Sequence, residues 1–365
     1  MAIDLADDKQ FRITVADHDP QSLVDLKEKY SLETLEVDLS QPEKVKSVIA
    51  DYDLVIDALP GFLGFQTFRA AIEAGKNIVD IAFFAEDPLP LNDLAREKGA
   101  IAIMDCGVAP GMSNLLVGFV DLLLDETESV EIYVGGLPQI REWPYEYKSV
   151  FSPVDVIEEY TRPARYIENG KQVIRPALSD AELINFPGIG TLEAFNTDGL
   201  RTLMQTIRAP KMKEKTLRYP GHIEKMAVLR ETGFFSQEPI DFLGQRIRPL
   251  DFTARLLFPL WEMKAGDEDL TVMKIIVKGK KDSQNFCYTY DLLDRFDRKS
   301  GTTSMARTTG YTATMAARML AAGLYQRKGI SPPEYIGQNP RCVDFILKGL
   351  KERGIIYRET INRLE

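Results

Sequence analysis

Only two histidines, His18 and His222, stand in 365 residues, so any imidazole acid–base chemistry falls on one of them. The three cysteines, Cys106, Cys287 and Cys342, are odd in number and far apart. That matches neither a disulfide framework nor a zinc-ligand spacing, and no metal site is expected. The densest chemical string is DCGVAPGMSN at 105–114. Its glycines, Gly107 and Gly111, and its proline hold an irregular loop after an apolar run, and Ser113 or Asn114 can cap the apolar helix that follows. Such a loop either frames a substrate with its backbone or serves as a tight crossing turn. Cys106 within it reads as a small buried apolar group rather than a nucleophile. Arg201 in TDGLRTL and Arg218 in LRYPGHIEKM stand beside the turn formers Asp198-Gly199 and Pro220-Gly221. A guanidinium suits bidentate capture of a carboxylate. His222 opens a helical stretch, where it can exchange a proton or simply pack.

These residues need elements to place them. From residue 11 to about 105, short apolar runs alternate with helical spacing: FRITVAD, then PQSLVDLKEKY; LETLEVDLS, then QPEKVKSVIADY; DLVIDALPG, then FLGFQTFRAAIEAG; NIVDIAF, LPLNDLAREKG and AIAIMDCG. Strands apolar on both faces and separated by helices predict a parallel, doubly wound α/β sheet of the Rossmann type. In such a sheet the ligand lies beyond the carboxyl ends of the strands. The residues to weigh are then Asp17, Asp38, Ala58, Leu59, Pro60, Gly61, Asp80 to Phe83 and the 105–114 loop. Asp17 is placed to accept from the ribose hydroxyls of a dinucleotide, where an acid favours NAD over NADP; a turn acid is the plainer reading. Asp38 carries the same alternatives, with a helix-capping role before Pro42. ALPGFLG brings backbone close to either a cofactor or a helix.

After Asn114 the pattern changes. An apolar helix at 115–124 leads to SVEIYVGGLP, longer loops and aromatic clusters, and DLTVMKIIVKGKK and NFCYTYDLLD alternate as antiparallel strands about the turn KKDSQ. This predicts a second, mixed α+β domain. The terminal helices can pack back on the first domain, so the division expected is 1–117 plus 305–365 and 118–304. SMARTTGYT at 304–312 either binds a ligand through Arg307 and its threonines or starts a helix. A net charge of −10 and a pI near 5.1 argue against nucleic acid and anionic membranes as partners and for a small molecule. The acids near Met1 do not fit a signal peptide, no apolar run spans a bilayer, and a cytoplasmic protein is expected.

Taken in order, ALPGFLG, DCGVAPGMSN, YVGGLP, YKSVFSPVDVIEEYTRPAR, TDGLRTL, RYPGHIEKM and MARTTGYTA resemble the saccharopine dehydrogenase family. The closer likeness is to the branch containing lysine 6-dehydrogenase, which oxidatively deaminates lysine at its ε-carbon with NAD. The resemblance implies that 1–117 plus 305–365 is the nucleotide-binding domain and 118–304 the substrate and dimerisation domain of a homodimer, with NAD as cofactor and NADP as the alternative. It implies a cofactor site at Asp17, Asp38, Ala58, Leu59, Pro60, Asp80 and Gly107, and an amino-acid substrate held by Arg201, Arg218, Gly111 and Asn114. Asp80, Tyr147, Lys148 and His222 are the candidates for the base, His222 first. Two departures matter. Saccharopine reductases read LDPG where this chain has Val108-Ala109-Pro110-Gly111, which removes an acid from the loop. The glycine fingerprint, due about 20 residues before the ribose acid, falls upstream of Met1, so the chain is expected to begin inside the first helix with the first strand missing. The alternatives are a saccharopine-type or carboxyspermidine-type reductase and a non-catalytic relative that binds a metabolite or a protein.

Overall fold

The computed structural model describes residues 1–150 and 153–365; Phe151 and Ser152, within YKSVFSPVDVIEEYTRPAR, lie outside the described residues. The chain divides into two compact units, 1–115 with 309–354, and 116–308 with 355–365.

The first unit is parallel α/β, as its apolar runs require. Leu54–Asp57, Asn77–Asp80, Ile101–Ile103 and Gly329–Ser331 form one parallel sheet in that spatial order, and Thr14–Asp17 pairs in parallel with Glu33–Glu36. Among the described residues no strand lies on the other edge of Thr14–Asp17 or of Leu54–Asp57. Helix Pro20–Tyr30 starts on Asp19, whose side chain accepts the Gln21 N–H, with Pro20 in the first turn. Helix Gly61–Glu73 buries Phe68 and Ile72 against Ile78, Phe84 and Met104. Gly61 is required by this packing, since a Cβ there would sit 2.6 Å from the Phe83 carbonyl oxygen. The close approach at ALPGFLG is therefore made to a neighbouring strand end. Helix Ala2–Ala6 is tied down through Asp4, which pairs with Arg318 at 2.7 Å and Arg353 at 2.6 Å.

The second unit is a mixed sheet. Tyr357–Leu364, Gln284–Arg295, Asp269–Lys281, Glu126–Pro138, Lys211–Arg218, Gly190–Asn196 and Glu182–Phe186 follow one another across it, and Ala164–Glu168 and Lys171–Arg175 branch from Lys211–Arg218. Among the described residues of this unit, only Lys211–Arg218 with Glu126–Pro138 is a parallel pair. The predicted hairpin forms, with Asp282 and Ser283 at its turn. The tail was expected to stay with the nucleotide-binding part; instead Tyr357–Leu364 pairs along Gln284–Arg295, because that strand otherwise presents an open edge. Under the sheet, Trp261, Tyr160, Tyr147, Phe195 and Met226 form a buried aromatic core. No helix among the described residues is long and apolar enough to cross a membrane.

Candidate active site

At the carboxyl ends of the first unit's strands, Asp57 and Asp80 stand in register on adjacent parallel strands. Registered residues point to the same face, so two carboxyl groups lie side by side. Both are buried. Asp57 Oδ1 accepts the Leu59 N–H at 3.0 Å, while Asp57 Oδ2 and both Asp80 carboxyl oxygens meet no donor of normal geometry. Two dry carboxylates cannot both be charged. Burial raises Asp57 to about 6. Burial, then the charges of Asp57 and Asp105, push Asp80 well above the usual carboxylate range. The pair thus holds one proton at neutral pH.

The 105–114 loop folds beside this pair. The Cys106 N–H donates to the Asp80 carbonyl at 2.8 Å, Gly107 N–H to Pro110 C=O at 3.1 Å, and Met112 N–H to Gly107 C=O at 3.0 Å. Gly111, at φ 138°, admits no side chain: a Cβ would lie 1.9 Å from the Gly107 carbonyl oxygen. Burial drives the Cys106 thiol up, away from nucleophilic use. Asn114 is buried, its Oδ1 accepting from the Ser113 hydroxyl at 2.9 Å and its Nδ2 meeting no acceptor.

In the second unit the structure brings together three of the predicted residues, Tyr147, Arg218 and His222, but closes them on themselves. Arg218 donates through Nε to the Tyr160 hydroxyl at 3.1 Å, through NH2 to Glu159 at 2.5 Å and through NH1 to the Leu217 carbonyl at 3.0 Å, with the Tyr147 ring 4.5 Å away. Three of its five N–H donors are thus engaged inside the protein. The structure holds Arg218, expected to bind a substrate carboxylate, in an internal ion pair with Glu159. His222 is likewise buried, with Nδ1 2.8 Å from the Tyr145 carbonyl and Nε2 2.9 Å from the Tyr160 hydroxyl. These partners set the tautomer: Nδ1–H donates, and Nε2 accepts. Burial and the nearby Arg218 charge lower its pKa to about 3, so His222 is a neutral packed imidazole and not the base first expected. Tyr147 is buried and pushed up to about 12, its hydroxyl unpartnered. Lys148 points to Glu142 at 3.1 Å, which makes it an ion-pair lysine. Arg201 is buried in a left-handed turn at φ 52°. Arg307 pairs with Asp294 and Asp297, each at 3.2 Å.

Asp17 ends its strand half-exposed, with Oδ1 accepting the Asp19 N–H at 3.0 Å. Asp38 is a solvated turn acid two residues past its strand, and the Ser40 N–H it accepts at 2.9 Å lowers its pKa. Ala58 and Pro60 are exposed and Leu59 half-buried at the next strand end. A nicotinamide dinucleotide fits part of this edge. Asp17 can take its ribose, and the unpartnered Asn114 Nδ2 can take an acceptor on it. The pattern G-x-G-x-x-G occurs nowhere in the 365 residues, so no pyrophosphate cradle is assigned. No group of metal-ligating side chains occurs among the described residues.

Asp57, Glu159 and Glu214 were not singled out from sequence. The acid that closes both LVID and NIVD was the available signal for Asp57. Glu214, raised to about 8 by burial and held by the Thr197 hydroxyl at 2.5 Å, lies in a strand whose other residues gave no warning.

Residues 1–103 match the family model "Saccharopine dehydrogenase NADP binding domain", and residues 107–355 match "Saccharopine dehydrogenase C-terminal domain". Among curated proteins, the chain is 25% identical to the bovine (Bos taurus) mitochondrial alpha-aminoadipic semialdehyde synthase over 96% of its own length, and it spans 45% of that protein. It is 24% identical to carboxyaminopropylagmatine dehydrogenase of Synechocystis over 91% of itself and 86% of that protein. The structure of apo saccharopine dehydrogenase (L-Glu forming) from Saccharomyces cerevisiae superposes with a TM-score of 0.81 at 20% identity, covering 99% of this chain and 96% of that one, and so shares the fold. With both units matched in order, the chain belongs to the saccharopine dehydrogenase family, whose oxidoreductases use NAD(P).

Proposed function

We propose that the protein oxidises the amine-bearing carbon of a small amino acid, L-lysine at its ε-carbon, and works as a homodimer. The observation that carries this reading is the buried Asp57–Asp80 pair at the carboxyl edge, which holds a single proton near neutral pH. An ammonium must lose a proton before hydride can leave its carbon. A carboxylate raised to about 6 is a far better base for that than one left in water. The charged member of the pair, Asp57, is the acceptor for that proton. NAD, when bound, supplies the hydride acceptor. Loss of hydride gives an iminium, and water adds to release ammonium and an aldehyde. Asp17 supports NAD over NADP, since its carboxylate would repel a ribose phosphate. The turn Val108-Ala109-Pro110 carries no acid, which favours a simple amine over a substrate as large and charged as saccharopine.

The names of the relatives favour a second reading, reduction of an imine formed between an amine and an aldehyde. Purified protein with NAD tests both. Growth of NADH absorbance with lysine alone supports deamination. Oxidation of NAD(P)H only when an amine and a carbonyl compound are both present supports the reductase. No turnover of either kind overturns both.

A further inference from the structure

Acids gather at the carboxyl ends of Thr14–Asp17 and Glu33–Glu36. Asp17 is in register with Glu36, Asp38 follows two residues beyond, and Asp19 caps the next helix. His18 stands among them. Its Nδ1 lies 3.2 Å from Asp17 Oδ1, the oxygen that also accepts the Asp19 N–H. It is close enough to act on the charges of Asp19 and Asp38 as well. The imidazole is 85% exposed, so packing does not explain its presence. Arg12 is taken up by Glu33 at the opposite end of the two strands. Among Asp17, His18, Asp19, Glu36 and Asp38, only His18 can carry a positive charge.

We propose that His18 is a proton-operated selector between NAD and NADP, its charged ring admitting the 2′-phosphate that its neutral ring leaves to the repulsion of the surrounding acids. The inference rests on Asp17 meeting the adenosine ribose. NADP differs from NAD at that ribose by one phosphate, which carries about −1.5 to −2 near neutral pH. Beside these carboxylates and a neutral imidazole such a group is repelled, and NAD is preferred. The acids do not relent on mild acidification. The Ser22 hydroxyl and the Gln21 N–H hold Asp19 below the usual carboxylate range, and the Ser40 N–H does the same for Asp38. Histidine is the side chain whose charge ordinarily changes between about pH 5 and 8. When the ring gains its proton, two effects act in one direction. Nδ1–H pairs with Asp17 and offsets its charge, and Nε2–H is left to donate to a phosphate oxygen. NAD brings no charge to this position and gains nothing from either.

Calorimetric titration of the full chain with NAD and with NADP, at about pH 6 and about pH 8.5, reads the ratio of the two dissociation constants. The phosphate itself takes up a proton at about pH 6, so the reference is His18→Gln, which keeps that contribution and removes the titrating ring. His18→Arg stays positive at both pH values. Both substitutions fall on an exposed side chain, and Tm is expected to hold. The wild type is expected to match His18→Gln at the higher pH and to approach His18→Arg at the lower, where its preference for NAD is about fivefold smaller than that of His18→Gln. Equal ratios for wild type and His18→Gln at both pH values overturn the proposal, as does a wild type that follows His18→Arg at both, or a chain that binds neither dinucleotide. Asp17→Ser separates the premise. If it leaves the ratio unchanged at the higher pH, Asp17 does not meet the ribose and the proposal falls with it. If it shifts the ratio toward NADP while wild type and His18→Gln coincide, Asp17 keeps the ribose and only the role of His18 is lost. Turnover does not enter this readout, so oxidation of the amine stands or falls separately.

Discussion

Asp57→Asn probes the carboxyl pair with almost no change of shape. The asparagine keeps the oxygen that accepts the Leu59 N–H and puts an amide NH2 where Asp57 Oδ2 has no donor, with the Asp80 carboxyl as its acceptor. In the folded protein the Asp57 carboxyl titrates at about 6, against 3.8 for the free group. The folded state therefore binds more protons than the unfolded one between those values, and stability falls as pH rises through that window. The loss is about 3 kcal/mol once pH exceeds the folded value. Asparagine carries no such cost. The variant should match the parent near pH 4 and exceed it by roughly 1–3 kcal/mol near pH 8, read as the difference in guanidinium unfolding free energy at each pH. The same substitution should lower kcat at neutral pH with little effect on KM, because it removes the titrating partner and leaves binding alone. A parent–variant difference that is equal at both pH values, or an asparagine protein less stable near pH 8, would refute the shared proton.

His222 has the opposite sign. Its folded pKa of about 3 lies below the free value of 6.5, so the stability it carries is full above 6.5 and is lost as pH falls toward 3, by up to about 5 kcal/mol. His222→Gln should flatten that acid limb in a thermal-melt series and leave the inflection of kcat/KM near 6 in place; loss of the inflection would return His222 to the role of base. Gly111→Ala should cost more than about 3 kcal/mol, since the backbone conformation and the Gly107 carbonyl both reject a Cβ, and a Tm drop of only a degree or two would contradict the closed loop. Asp17→Ser should weaken NAD about tenfold or more in a fluorescence titration while improving NADP, because a charged acceptor is lost and a repulsion removed; unchanged selectivity would remove Asp17 from the ribose.

Most of the architecture was legible because its signals are local. The runs LVID and NIVD are apolar on both faces, and Pro20–Tyr30 and Gly61–Glu73 carry helical spacing, with Pro20 opening the one and Gly75 following the other. What escaped depends on distant partners. Gly329–Ser331 is three residues long and becomes a strand only beside Ile101–Ile103. Tyr357–Leu364 is largely polar and exposed, and only the open edge of Gln284–Arg295 makes it a strand. The site divides along the same line. Scarcity drew attention to His222, and turn formers drew it to Arg218, yet neither property says how many partners a side chain will meet. Tyr160 and Glu159 come from about sixty residues earlier in the chain, and each holds one of them.

Asp57 shows the converse. It closes its apolar run one residue before the window taken as the strand end, and by itself it is one more turn acid. Its meaning comes from Asp80, which closes the next strand at the equivalent place. In a parallel sheet, equivalent strand ends become neighbours, so like charges there meet in a dry setting and cannot both ionise. Comparing the last residue of each apolar run, strand against strand, therefore finds a shared-proton site that reading each run alone passes over. The same comparison weighs against His222: an imidazole ringed by Tyr145, Tyr147, Tyr160 and Arg218 has its proton positions settled by the fold, whereas two carboxyls with unfilled acceptors have one proton left to exchange.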